Sequence, residues 1–145
     1  MIYDISYRPK KVIDNIDSLL GSPYRLIDKV RMNGAGSPKL IVHACSQMVL
    51  DRLSRTDELV YTNIELRPKG VIVHFQSNLS VFAWPIAYHH LSVYQNGNSW
   101  SVHGNGQFMK VRCRSSEQSM RNFLIKLFKL KDEHCGSSVD QGTGS

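Results

Sequence analysis

Carboxylates are nearly missing from the middle of this 145-residue chain: Glu65 stands alone between Glu58 and Glu117. General bases and the groups that orient nucleophiles are commonly carboxylates, so that stretch offers little to an acid–base or metal-hydrolase mechanism. Metal-site signatures are missing too. There is neither CxxC nor HExxH spacing, and Cys45, Cys113 and Cys135 are an odd number without a framework. Long apolar runs are absent as well. Even Val71 to Leu91 is interrupted by His74, Gln76, Asn78 and Pro85, whereas a membrane-spanning helix needs roughly 18 apolar residues. The opening MIYDISYRPKK lacks the charged segment leading into an apolar one that marks a secretory signal, so the chain reads as cytoplasmic and not as an integral membrane protein.

Cations are unevenly missing. The stretch from Val71 to His103 holds no Lys or Arg, although the whole chain carries 18 Lys/Arg against 12 Asp/Glu, a net charge of +6. Nine basic residues face five acidic ones over residues 1–56, five face three over 57–115, and four face four over 116–145. That spread reads as a solvated basic surface, because no block of cations resembles a nucleic-acid arm. The aromatic residues Tyr61, Phe75, Phe82, Trp84, Tyr88, Tyr94, Trp100 and Phe108 could stack on bases only if exposed and flanked by Lys or Arg. With no cation between Val71 and His103, no nucleic-acid partner is expected.

What the chain has is alternation. ELVYTNIEL, GVIVHF, LSVFAW, LSVYQ, SWSVH and QFMKVR read as strands, cut by Arg67-Pro68-Lys69-Gly70, Ser77-Asn78, the Pro85 region, Asn96-Gly97-Asn98 and Gly104-Asn105-Gly106. Such spacing predicts antiparallel hairpins wrapped into a small β-barrel or sandwich. The pattern then switches to the helical period. Ser115 and Gln118 resemble a capping box before Met120, Phe123, Leu124, Leu127 and Phe128, an apolar stripe that should bury against the barrel. Arg121, Lys126, Lys129 and Lys131 occupy the rest of that helix, and the residues beyond are too polar to hold a core.

Earlier in the chain, Ser22-Pro23 and Ser37-Pro38 look like helix starts. Leu26, Ile27 and Val30 follow the first at helical spacing, with Asn33-Gly34 as a stop. Leu40, Ile41, Ala44, Cys45, Met48 and Val49 follow the second, which reads either as a helix or, because LIV is β-rich, as a buried strand. Lys10 to Leu20 adds a further turn or two, with Val12, Ile13, Ile16, Leu19 and Leu20 on one side. The expected class is α+β. Residues 1–56 form a helical extension, 57–131 the barrel with its closing helix, and 132–145 a disordered tail.

Several antiparallel strands followed by one C-terminal amphipathic helix resemble the pleckstrin-homology-like fold, most of all its small bacterial members. The resemblance rests on RPKGVIVHF, LSVFAWPIAYHHLSVYQ, SWSVHGNGQFMKV and SMRNFLIKLFKL. It implies a docking platform for lipid, peptide or protein without a catalytic centre. In lipid-binding members, clustered cations by the first hairpin grip phosphates. Here that turn supplies Arg67 and Lys69 as anion-binding candidates, too few for a headgroup with several phosphates.

Four histidines, His74, His89, His90 and His103, lie close enough in sequence to converge if the strands pair. Adjacent His89 and His90 would project to opposite faces of an extended segment, so at most one joins any one-sided metal site. Cys45 with His43 makes no dyad on a helix, where residues two apart do not face each other. The expected function is a non-catalytic binding or scaffolding module that takes a protein partner or a second copy of itself along a sheet edge or beside the helix, without a cofactor. The alternatives are a small metal-dependent or histidine-assisted enzyme using those histidines, and weak anionic-lipid binding through the basic turn.

Overall fold

A computed structural model describes residues 2–52, 60–77, 80–114 and 116–143. The chain runs β1 (Tyr3–Asp4), α1 (Lys10–Leu20), α2 (Leu26–Arg31), β2 (Leu40–Cys45), α3 (Gln47–Leu50), β3 (Val60–Leu66), β4 (Gly70–Ser77), β5 (Ser80–Ala87), a 3-10 turn (Tyr88–His90), β6 (Ser92–Asn96), β7 (Ser99–Gly104), β8 (Gln107–Cys113) and α4 (Glu117–Thr143). The fold is α+β, with one antiparallel sheet in the order β1-β5-β4-β3-β2-β8-β7-β6. Among the described residues no ladder joins β6 to β1. The described sheet is therefore open: of the antiparallel β-barrel or sandwich that alternation predicts, it shows the antiparallel sheet and the C-terminal helix.

All six strand candidates between residues 58 and 112 form strands, and local turn chemistry explains most of their boundaries. Glu58, Leu59, Asn78 and Leu79 lie outside the described residues. Asn96 pairs with Ser99 around a two-residue loop whose Gly97 has φ +63°, the first position of a type II′ turn. Asn105 (φ 53°) and Gly106 (φ 80°) make the next hairpin an Asn-Gly type I′ turn. Pro85 does not end its strand as expected. It lies inside β5 opposite Ile72, and its missing N–H points toward the side where β1 has already stopped at Tyr3, opposite Ala83.

The N-terminal segment does more than extend the sheet. Leu40–Cys45 is a strand, not a helix, and it pairs with β3 on one side and β8 on the other. LIVHAC fits either structure locally, and two free ladder edges decide for the strand. Only Gln47–Leu50 of that predicted helix is helical. β1 adds two further residues at the β5 edge. The N-terminal segment thus contributes an interior strand of the sheet, between β3 and β8.

Inward side chains of β3 to β8 meet Met120, Phe123 and Leu127 of α4 in one core that includes Phe75, Trp84, Trp100 and Met109. The expected apolar stripe of α4 is buried, although Phe128 at its margin is half exposed. Ser115 lies outside the described residues. The hydroxyl of Ser116 caps the helix, accepting from the Ser119 N–H at 3.2 Å. Helical backbone continues past Lys131, where the apolar stripe stops, as far as Thr143. On the other face of the sheet, Ile16 and Leu20 of α1 pack against Ile72, Ala83 and Ala87.

Candidate functional site

The turn from Arg67 to Gly70 is clamped on all sides. Arg67 is 7% exposed. Its guanidinium donates to Glu65, to Asp17 Oδ1 at 2.9 Å and to the Gly21 carbonyl at 2.9 Å. Tyr88 Oη donates to the Arg67 carbonyl at 2.7 Å, and the Lys69 N–H donates to the Leu20 carbonyl at 2.9 Å. Gly70 lets the turn seat this closely, because a Cβ there would overlap the Ile86 carbonyl oxygen. Arg67 is thus a buried strut between α1 and the β3–β4 turn, not a solvated corner. The basic turn presents one exposed cation, Lys69, which halves the anion-binding pair that the sequence suggested.

The four histidines are not brought together. His74 on β4 is half-buried, with Nε2 2.9 Å from Glu65 Oε1. His89 and His90 share the 3-10 turn with ring centroids 4.1 Å apart, side by side at the surface instead of on opposite faces. His103 on β7 sits between Tyr94 and Phe108. β3, β2 and β8 separate His74 from His103, roughly 19 Å along the sheet at about 4.8 Å per strand. Among the described residues no group of three or more His, Cys, Asp or Glu side chains is placed to hold a metal ion.

Glu65 joins both clusters. Burial alone would raise its carboxyl, but hydrogen bonds from His74 and Arg67, and the charges behind them, outweigh that and bring it down to about 2. A carboxylate held so firmly by the Arg67 guanidinium and a histidine ring is a weak base. A cleft of about 470 Å³ beside it is lined by Lys29, Gly36, Asn63, Glu65 and His74. A larger one of about 700 Å³ lies between the α2–β2 connection and α4, where Lys126 Nζ donates to the Asn33 and Gly34 carbonyls. Cys45 is half-buried against the core, and burial pushes its thiol pKa up.

Compared with protein-family models, with curated proteins and with solved structures, the chain matches none.

Two surfaces remain. The first is β6, the edge strand beyond β7. Residues that flank a two-residue hairpin exchange both backbone hydrogen bonds, and the alternation then turns the N–H and C=O of Val93 and Gln95 away from β7. SVYQN contains no charge and no proline, the usual guards of a free edge. The second is the outer side of β2 and β8, where Lys39, His43, Lys110, Arg112 and Arg114 are all exposed. In the sequence these charges are dispersed. The β2–β8 ladder gathers them, and that ladder was legible only to the extent that residues 40–45 could be read as a strand. No described helix is long and apolar enough to cross a membrane.

Proposed function

We propose that this chain is a non-catalytic binding module that docks an extended segment of a protein partner along the free edge of β6. The observation that carries the reading is the pair of outward-facing backbone groups at Val93 and Gln95 on a neutral, five-residue edge strand. An added strand gains main-chain hydrogen bonds there, and Tyr94, 60% exposed beside them, offers side-chain contact. The separation of the four histidines favours binding over a metal-dependent or histidine-assisted enzyme. The burial of Arg67 leaves little for an anionic lipid at the basic turn. The order from β2 to β8 followed by α4, with α4 against the 3-10 turn that links β5 to β6, supports a pleckstrin-homology-like reading whose unit starts at β2, not at residue 57.

The test is affinity capture from the native cell with the wild-type chain and with Gln95→Pro, which removes an outward N–H without touching the β6–β7 ladder. A partner captured only by the wild type, whose binding slows amide exchange at Val93 and Gln95, supports the reading. Capture that ignores the proline, with protection elsewhere, overturns it. Self-association in sedimentation runs that the same proline abolishes would identify the occupant as a second copy.

A further inference from the structure

Among the described residues, α1 packs on the outer face of the sheet over β4 and β5. On the remainder, strand pairing sets two basic segments, distant in sequence, side by side. Arg112 stands opposite Ile41 and Ser99, and Lys110 opposite Ala44 and Ser101. Arg114 follows in the same column and Lys39 precedes β2. Alternate residues of a strand are about 6.7 Å apart, so Lys110, Arg112 and Arg114 form a regular cationic row. The irregular register between Val42 and Ala44 leaves His43 exposed beside them. Desolvation first, and then the Arg112 and Lys110 charges, lower the His43 pKa. Neither β2, β6, β7 nor β8 contains an Asp or Glu. Among the described residues, ion pairs use Arg67, His74 and Arg121 but not Lys39, Lys110, Arg112 or Arg114.

Aromatic rings flank the row on both sides. Lys39 Nζ lies 4.2 Å from the Tyr61 ring centroid, and Arg114 Nη1 donates to Tyr61 Oη at 2.9 Å. Running from β6 over β7 to β8, the rings of Tyr94, His103 and Phe108 follow one another with centroids 5.3 and 5.9 Å apart. From these positions we infer that the outer face of β2, β8, β7 and β6 binds single-stranded nucleic acid. The cations follow the phosphates while the rings receive bases, whose faces stack whatever their identity. Duplex DNA is a poorer fit, because reading it requires an element that enters a groove and this face is a sheet surface. The long cation-free stretch from Val71 to His103 does not oppose the inference. The strands beside it in space supply the charge.

Fluorescence anisotropy of the full chain against labelled single-stranded dT and rU oligonucleotides tests this, with a duplex of equal length, phosphatidylserine vesicles and inorganic polyphosphate as comparisons. Single strands should bind more tightly than the duplex. Four phosphate contacts predict a loss of about 50-fold in affinity between 50 and 200 mM salt, from a slope of about −0.7 per contact. Lys110→Ala/Arg112→Ala should cut binding at least tenfold and roughly halve that slope. Tyr94→Ala should weaken oligonucleotide binding but leave polyphosphate binding unchanged, which separates stacking from charge. Lys10→Ala/Lys11→Ala, equally basic and exposed on α1, should change nothing. No binding at 50 mM salt, equal losses in the α1 variant, or vesicles and duplex bound as well as single strands would each overturn the inference.

Discussion

Arg67 carries the clearest lesson at the scale of single residues. Its neighbours Pro68, Lys69 and Gly70 mark a surface turn, and a cation in such a turn is ordinarily solvated. Its burial depends on Asp17 and Gly21, some fifty residues earlier, which no local pattern reports. Arg67→Ala should strand Glu65 and Asp17 together with the Gly21 carbonyl. Because both carboxylates keep some solvent contact, the expected cost is on the order of 2–4 kcal/mol, below that of breaking a fully buried pair; urea unfolding measures it. Glu65 adds a pH signature. Its folded carboxyl is held at about 2 against an ordinary 4.5, so its stabilisation is complete above pH 4.5 and is lost as the pH falls from there toward 2. The stability deficit of Glu65→Gln against the wild type should therefore shrink across that window. A deficit constant with pH would mean that the charge of Glu65 contributes nothing.

Elements were legible where period and punctuation agreed. The strands from β3 to β8 and the start of α4 follow period-2 or helical spacing bounded by Gly, Pro and Asn, and their hairpin glycines take the positive φ that such turns require. β2 was ambiguous because its apolar residues satisfy both periods, and β1 is too short to have one. α2 forms where Leu26, Ile27 and Val30 and the Asn33-Gly34 stop predict it, yet those three side chains are largely exposed. Amphipathic spacing identifies a helix without saying what it packs on. For α4 it does both. Leu127 is 0% exposed in the main core, so Leu127→Ala should cost about 2–5 kcal/mol in thermal or urea unfolding. An unchanged midpoint would mean that α4 is not a core element.

The whole molecule inherits its surfaces from one pairing. Because β2 enters between β3 and β8, the strand order terminates at β6 and the basic segments around β2 and β8 meet on the outer face. Neither consequence can be read from composition, since the cations lie some seventy residues apart and a free edge is defined only by the absence of a neighbour. Function in this account rests on those open surfaces, not on a cluster of reactive side chains. The most direct measurement is backbone amide exchange along β6 in the free, dilute protein. Ser92, Tyr94 and Asn96 should be protected through their bonds to β7, while Val93 and Gln95 exchange at nearly unprotected rates. Uniform protection across all five residues at low concentration would place another element over the β6 edge, and the docking function would fall with it.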